Sequence, residues 1–359
     1  MIPPTATHAL QPGIETDARA EFDAVLHRCL STQIGHLLST KAHPADAPMR
    51  RYALVSAGQC EQGAVAAMAD IHGLACERLF MQTPEADMAD LGPWLIALPS
   101  DAGLPLREAL AQQAAAQALA LLSSPVRLPK LGEHLRSFMS GVLPDGSPAL
   151  LRYFDPRVGF DMFTHWPDAV RQRFVQPLAW WSGWDVRFQV LRLEGPARDE
   201  IAPWNGALQL DAEWCKAMDD AGQAQLVVAL LAEELEEIDP PAASLLARMH
   251  PSLRTQIARG ALSFADGAGL TGWDNRALAC RQALLVHARF HTHPVFEAAL
   301  SGTGSPRLAH VFAHVPAQLR NDWAQDREPM LARLYDAQAR VLLSSRSLAA
   351  PSAHDPGTR

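Results

Sequence analysis

Cysteine is scarce in this sequence, and no two cysteines have the spacing of a metal or redox motif. Five are present and far apart along the 359 residues: Cys29, Cys60, Cys76, Cys215 and Cys280. An odd number without a Cys-x-x-Cys pair argues against a disulfide framework and against a zinc ribbon. We therefore expect reduced thiols, as in a cytoplasmic protein.

The sequence also has no block of lysine and arginine and no long apolar run. Its formal net charge is −8, whereas proteins that bind nucleic acid carry a basic surface. The longest charge-free stretch, residues 109–126, contains three glutamines and a proline, so it predicts a buried helix instead of a membrane span. The first residues lack the pattern of a signal peptide. We expect a cytoplasmic protein without a nucleic-acid partner and without membrane insertion.

Common sequence signatures of catalysis are missing as well. The sequence has no Walker A loop, no HExxH and no GxSxG, which lowers the odds of nucleotide-binding, zinc-protease and α/β-hydrolase chemistry. We therefore expect no enzyme and no cofactor. One candidate nucleophile keeps the alternative open: Cys60 lies between a predicted strand and a predicted helix, where backbone N–H groups could stabilise a thiolate. The simpler interpretation is a small side chain packed at that junction.

Two pairs of histidines have the i,i+4 spacing of a helical metal site. They are His287 with His291 and His310 with His314. Such spacing can present two imidazoles to one ion. Because neither pair encloses an acidic residue, we expect ordinary histidines on helix faces and no metal.

The pattern of apolar residues predicts two lobes, since 359 residues are many for a single core. An amphipathic helix is predicted over 21–38, where apolar residues recur at helical spacing. After it, strand-like and helix-like segments alternate. Predicted strands cover 52–57, 94–98, 149–154 and 186–190, and predicted helices cover 62–74, 106–122 and 131–139. This order predicts an α/β lobe with a small mixed sheet and flanking helices.

From residue 211 onward every segment has helical periodicity, which predicts an all-α C-terminal lobe. The predicted helices cover 211–219, 223–238, 241–259, 275–291 and 317–344. The predicted organisation is a lead-in with an amphipathic helix (1–49), an α/β domain (50–195), a linker (196–210), a helical lobe (211–346) and a disordered tail (347–359).

An acidic stretch stands out in the helical lobe. Between residues 211 and 239 the sequence has nine acidic residues and one lysine. Four of the acids are clustered: Glu233, Glu234, Glu236 and Glu237. Apolar residues occupy the other side of the same predicted helix: Val227, Val228, Leu231, Leu235 and Ile238. A solvated outer face is the simpler interpretation, and a docking surface for a basic partner segment is the alternative.

Polar residues are concentrated between residues 131 and 158. Alternation along the predicted strand places Arg152 among apolar neighbours, so its charge needs a partner. Asp155 precedes Pro156, which disfavours helix and suits a turn at the strand end. We interpret the following residues as a polar network that joins helix to strand, with a ligand or catalytic site as the alternative: His134, Arg136, Arg152, Asp155 and Arg157.

Five motifs occur in an order that resembles a known family. They are Tyr52-Ala-Leu-Val55, Gly92-Pro-Trp-Leu-Ile96, His134-Leu-Arg136, Pro144-Asp-Gly146 and Leu150-Leu-Arg-Tyr-Phe-Asp-Pro-Arg157. Over residues 50–185 the chain resembles the cytoplasmic adaptor chaperones of bacterial type VI secretion, the Tap or Tec adaptors. It departs from them at Ser56, where the family has an acidic residue.

The resemblance implies that the protein holds a toxic effector and helps load it onto the VgrG spike protein. It also implies no cofactor and no chemistry, in agreement with the missing catalytic signatures. Two alternatives remain. One is an enzyme that uses Cys60 or the arginine-rich block on a phosphorylated or small ligand. The other is a structural subunit of the secretion machine.

Overall fold

The computed structural model describes residues 14–40, 48–201, 207–302 and 307–345. The chain divides into two compact units. One comprises Leu26–Ala221 with Leu342–Arg359, and the other comprises Gly222–Val341 with Met1–Val25. The predicted tail at 347–359 and the first part of the predicted lead-in, 1–13, lie outside the described residues.

The first unit contains the strands and begins within the long helix α1 (Ile14–Ser39), which starts seven residues before the predicted amphipathic helix. The elements that follow α1 in this unit are β1 (Arg50–Ser56), α2 (Ala64–Ile71), β2 (Cys76–Arg78), β3 (Pro93–Leu98), α3 (Leu104–Ala115), β4 (Leu119–Ser124), α4 (Leu128–Ser137), β5 (Ser140–Val142), β6 (Pro148–Leu150), α5 (Pro156–His165), α6 (Asp168–Val175), β7 (Trp180–Trp184), β8 (Val190–Glu194) and β9 (Leu208–Gln209).

Six of these strands form one sheet in the order β2-β3-β1-β4-β7-β8. Every neighbouring pair is antiparallel. In the middle of the sheet, Tyr52 of β1 lies opposite Ala97 of β3 and Leu122 of β4. A second, three-stranded sheet has the order β6-β5-β9, in which β5 pairs antiparallel with β6 and parallel with β9. This small sheet is the mixed one.

Both faces of the six-stranded sheet are covered near its middle, which explains the apolar runs of β1 and β4. All six residues of β4 are buried. One face packs against α4, α5 and α6, whose buried side chains include Leu135, Phe163 and Phe174. On the other face, Trp184 donates its indole N–H to Gln33 of α1 at 2.7 Å. Strands buried on both sides need no polar alternation.

Two predicted elements of this unit have different limits in the structure. The predicted helix 106–122 is wrong beyond α3, because Gln117 has a positive φ of 56° and β4 follows it. The high helix propensity of this alanine-rich stretch is overridden by the pairing of β4 with β1. The predicted strand 149–154 stops at Leu150, since Asp155 caps the helix that begins at Pro156.

The predicted strand 186–190 is also wrong, because residues 186–189 form the turn between β7 and β8 and only Val190 belongs to a strand, as the first residue of β8. The carboxylate of Asp185 accepts hydrogen bonds from the backbone N–H groups of Arg187 and Gln189, each at 2.8 Å. Phe188 adopts a positive φ of 59° and is buried. In the sequence, Val186, Phe188 and Val190 alternate with polar residues as in a strand. Phe188 is apolar because it is buried in the turn, so this alternation does not indicate a strand.

The second unit is helical and confirms the predicted fold class. Its elements are the later part of α7 (Ala212–Ile238), then α8 (Pro240–Arg248), α9 (Pro251–Gly267), α10 (Trp273–Leu285), α11 (Pro294–Gly302), α12 (Leu308–His314) and most of α13 (Ala317–Ser345). The chain thus combines a sheet with flanking helices in its N-terminal part and helices from residue 212 onward. No helix among the described residues has both the length and the apolarity needed to cross a membrane.

Helix boundaries in this unit follow caps and prolines. The predicted helix 241–259 is two helices, because Pro251 cannot donate a backbone hydrogen bond and starts a new one. His250 caps that helix: its Nδ1 accepts from the N–H of Ser252 at 3.2 Å. Burial, with the nearby charges of Arg19 and Arg254, lowers the pKa of His250 to about 3, so the imidazole stays neutral and able to accept. Conversely, 211–219 and 223–238 are parts of one helix, α7.

A glycine in α5 permits the closest backbone approach near the aromatic core, which gives a first prediction. A Cβ atom on Gly159 would lie 2.1 Å from the carbonyl oxygen of Tyr153. We expect Gly159→Ala to destabilise the chain by about 2 kcal/mol, because backbone must move. The matched control is Gly260→Ala in α9, where no atom lies within 4 Å of the added Cβ and the exchange should be neutral or stabilising. Equal melting temperatures of the two variants would contradict the close backbone approach at Gly159.

Candidate functional site

The buried carboxylate of Asp155 organises the polar block that the sequence singled out. Asp155 is 2% exposed and precedes α5. Its Oδ1 accepts from the backbone N–H of Arg157 at 3.1 Å and from Arg157 Nε at 3.0 Å. Its Oδ2 accepts from Arg157 Nη2 at 2.8 Å and from Arg152 Nη2 at 2.7 Å. One carboxylate therefore caps a helix and binds two guanidinium groups.

The structure corrects the reason given for this pairing. The sequence predicted that Arg152 is a charge among apolar strand neighbours, but Arg152 lies beyond the end of β6 and its side chain is 52% exposed. The buried charge is the carboxylate of Asp155. Because arginine can remain hydrated here while the carboxylate cannot, Asp155 depends on its partners more than they depend on it.

Arg136 belongs to a different ion pair. It lies in the last turn of α4, and its Nη2 donates to Oε2 of Glu77 in β2 at 2.7 Å. Both side chains are largely buried. Gly132 makes room for this contact, since a Cβ atom there would lie 2.2 Å from Glu77 Oε2. Sequence reasoning missed Glu77, which stands in a strand too short for its periodicity to be detected.

His134 also has its own partner. Its Nε2 lies 2.9 Å from the carbonyl oxygen of Phe174 in α6, so Nε2 carries the proton and donates. The ring packs against Phe138 with centroids 5.1 Å apart. Burial lowers the pKa of His134 to about 4, and the charge of Arg173 acts in the same direction. A neutral imidazole whose N–H is bound to a backbone carbonyl has a structural role at this position.

The five predicted residues thus form three separate contacts, which buried Tyr153 helps to hold in place. Its hydroxyl donates to the carbonyl oxygen of Leu135 in α4 at 2.6 Å. Its ring contacts Phe163, Phe174 and Trp181 with centroid distances between 5.1 and 6.3 Å. The turn that carries Arg152 and Asp155 is therefore fastened to α4 through a phenol and a backbone carbonyl.

Cys60, the candidate nucleophile, has an unreactive environment. It follows a short 3-10 turn after β1, and its Sγ lies 3.7 Å from the carbonyl oxygen of Ser56. Burial raises the pKa of the Cys60 thiol to about 11. Since the thiolate is the nucleophile, a thiol that stays protonated at neutral pH is a weak candidate for catalysis.

The histidine pairs do not converge on a common point. His287 Nε2 lies 3.2 Å from Asp326 Oδ2, whereas His291 stacks on Phe264 at 4.8 Å. Helix α10 ends before both, so this pair is not on one helix. His314 Nδ1 donates to the carbonyl oxygen of His310 at 2.8 Å. Within the described parts of the chain, no three His, Cys, Asp or Glu side chains are grouped as metal ligands.

The predicted acidic face is exposed, but it is not purely acidic. Glu233, Glu234, Glu236 and Glu237 are all exposed on α7. Glu234 Oε1 accepts from Arg281 Nη1 at 2.8 Å, so one of the four charges is already paired. Among the apolar residues predicted for the other side of this helix, Val227, Leu231 and Leu235 are buried, whereas the side chain of Ile238 is 62% exposed.

One glycine pattern escaped the sequence reasoning. Gly267-Ala-Gly-Leu-Thr-Gly272 has the spacing of a GxGxxG loop. Here the segment links α9 to α10 instead of a strand to a helix. Because the dinucleotide-binding loop requires a preceding strand, this context does not support nucleotide binding.

The sequence reasoning also missed three exposed apolar side chains in the first unit. Met81, Met88 and Leu91 are each at least half exposed. They belong to a segment of 3-10 turns between β2 and β3. Arg78 and Asp90 form an ion pair of 2.6 Å in the same region. Flexible thioether side chains adapt readily to different partners.

Comparison with known proteins gives one match. Residues 51–173 match the family model described as a domain of unknown function, DUF4123. No curated protein and no solved structure matches the chain. The matched residues lie inside the stretch 50–185 that carries the resemblance and include all five of its motifs.

The geometry around Asp155 predicts an order of stability. We expect Asp155→Ala to lower the free energy of unfolding by about 3 kcal/mol, from the lost cap and charge-assisted hydrogen bonds. Arg152→Leu should lower it by about 1 kcal/mol or less, because the Arg152 side chain is half exposed and Arg157 still binds Asp155. Asp155→Asn can keep the helix cap, so its loss of unfolding free energy should lie between those of the other two variants. Urea unfolding in which Arg152→Leu is the most destabilised variant would exclude this arrangement.

Burial of His134 predicts a pH dependence. Its folded pKa of about 4 lies below its ordinary value, so the unfolded chain binds the proton first as pH falls. The free energy of unfolding should therefore fall by about 3 kcal/mol as the pH is lowered from 6.5 to 4. His134→Gln can still donate to Phe174 but does not titrate, so its stability should fall less over this range. If wild type and His134→Gln gave parallel curves of unfolding free energy against pH, His134 would not be the titrating group.

Proposed function

We propose that this protein is a non-catalytic adaptor chaperone of type VI secretion. In this proposal it binds a toxic effector in the cytoplasm and helps load it onto the VgrG spike protein for export. The single observation that carries the proposal is the DUF4123 match at residues 51–173, because this domain is associated with effector adaptors of type VI secretion. The five motifs of the resemblance support it from the sequence side.

The chemistry of the described side chains fits a binding role. The arginine-rich block is committed to its own carboxylates: Arg152 and Arg157 to Asp155, and Arg136 to Glu77. A phosphorylated ligand would have to compete with a buried acid for these guanidinium groups. The raised thiol pKa of Cys60 likewise weakens the enzymatic alternative.

Two compact units suit a bridging mechanism. In the proposed mechanism, one unit binds a segment of the effector, and the resulting complex engages the spike. Adaptors of this kind need surfaces instead of a catalytic pocket, and the exposed side chains of Met81, Met88 and Leu91 offer apolar contact area in the matched domain.

The test is purification of the tagged chain at native expression level from secretion-active cells, with mass spectrometry of what stays bound through size exclusion. We expect a toxin-like protein, with or without a VgrG spike. In the deletion strain, wild type and Cys60→Ala should restore export of that toxin equally. A partner-free chain would count against the adaptor role. A folded Cys60→Ala protein that binds the toxin but fails to restore export would favour the enzymatic alternative.

A further inference from the structure

The six-stranded sheet ends at β8, and the outer edge of this strand is unpaired. Within the described residues no other strand pairs with β8 on that side. None of its five residues is buried, and Val190 is 41% exposed. Sheet edges present backbone donors and acceptors, and natural proteins protect such edges because they pair readily with other chains.

Hydrogen-bond parity identifies which backbone groups face outward. Asp185 donates its N–H to the carbonyl of Gln189 at 3.0 Å, and Gly195 donates to the carbonyl of Ala179 at 3.2 Å. In an antiparallel ladder, hydrogen-bonded and non-hydrogen-bonded pairs alternate. Leu191 and Leu193 therefore direct their N–H and C=O groups toward β7. Val190, Arg192 and Glu194 direct theirs away from the sheet.

The sheet face next to this edge carries two arginines around one indole: Arg192 of β8 and Arg51 of β1, a strand that lies three positions further into the sheet. The guanidinium carbons of Arg192 and Arg51 lie 5.1 and 5.4 Å from the centre of the Trp180 ring. Arg192 pairs with Glu194 at 2.6 Å. Arg51 donates to Ser123 and to the carbonyl of Thr40, with no carboxylate within 4 Å among the described residues. Two arginines thus share one indole and one acid.

These two like charges oppose each other. Burial, and then the charge of Arg192, lower the pKa of Arg51. An added carboxylate on this face would relieve the repulsion, because charges near a protein surface interact more strongly than in bulk water. Among the described residues, the edge therefore combines backbone groups without a strand partner with a neighbouring face of two arginines and one carboxylate.

We propose that the β8 edge binds an extended segment of a partner protein as a seventh strand, with an acidic side chain of that segment facing Arg192. That the partner is the secreted effector rests on the proposed function. Backbone hydrogen bonds to Val190, Arg192 and Glu194 would supply affinity. Leu191 and Leu193 lie on the sheet face opposite to Arg192. There they would contact every second side chain of the bound segment.

Charge argues for an acidic segment over a second copy of this chain. Pairing of two β8 strands would join two sheet faces of the same net charge, because each carries Arg51 and Arg192 with a single Glu194. Faces of like net charge repel each other. A partner segment of negative charge meets no such penalty.

The test uses the full chain and three fluorescein-labelled peptides of alternating threonine and valine, with a central glutamate, glutamine or lysine. By fluorescence anisotropy we expect the glutamate peptide to bind about tenfold more tightly than the lysine peptide. Arg192→Ala should abolish this preference but retain weak binding of all three, since the outward N–H remains. Arg192→Pro should lose binding of all three, because proline removes that N–H.

Proline is tolerated on a strand edge whose N–H faces solvent, and unchanged thermal melts would confirm that the variants fold. Glu194→Pro, with Glu194→Ala as its control, repeats the test with Arg192 intact. Equal binding of the glutamate and lysine peptides, or wild-type binding by Arg192→Pro, would overturn the proposal. So would a dimer of the wild-type chain in light scattering that Arg192→Pro dissociates, since that assigns the edge to a second copy.

The two proposals fail separately. If Arg192→Pro co-purifies with the toxin at wild-type yield, the edge proposal fails and the adaptor role stands. If the wild-type chain recovers no toxin while the glutamate peptide still binds at the edge, the adaptor role fails and the strand-binding edge stands.

Discussion

The carboxylate of Asp155 is the interaction on which the arrangement of the matched domain depends. By capping α5 it fixes where the chain leaves β6, and by binding Arg152 and Arg157 it offsets the cost of its own burial. The turn then places Tyr153 beneath the sheet, where its hydroxyl reaches α4. Around that phenol pack the aromatic rings of α5, α6 and β7, whose burial each contributes about 2–3 kcal/mol. A polar contact of four hydrogen bonds thus positions an apolar core.

Much of the fold could be predicted because its signals are local. The helical periodicity of α13 and the apolar runs of β1 and β3 were sufficient to locate these elements within a few residues. The periodicity of α1 located that helix except for its first seven residues. Prediction was wrong where tertiary pairing decides the outcome. The alanine-rich stretch 106–122 has the propensity of a helix throughout, but its last residues, beyond Gln117, pair with β1 as β4. The buried turn residue Phe188 imitated a strand, since hydrophobic alternation does not distinguish a strand from a turn that is packed inward.

The polar block was recognisable in sequence, but its connections were not. Asp155 before Pro156 indicated a turn, and Arg152 indicated a paired charge. Which member of that pair is buried depends on where β6 ends, a matter of three-dimensional packing. Glu77 could not be assigned to Arg136 because 59 residues separate them and β2 is only three residues long. The position of β8 at the edge of the sheet could likewise not be predicted, because no local sequence pattern determines the order of strands in a sheet.

The order of strands has a consequence for the limits of the domain itself. The family match ends at residue 173, whereas β4 obtains its outer neighbour from β7, beyond that limit. β5 likewise pairs with β9, more than sixty residues further along. A fragment cut at the match boundary would leave one flank of β4 without hydrogen bonds and the aromatic core without Trp181. The homologous stretch is therefore shorter than the cooperative folding unit. The residues that follow it, in β7 and β9, complete the two sheets of the matched residues.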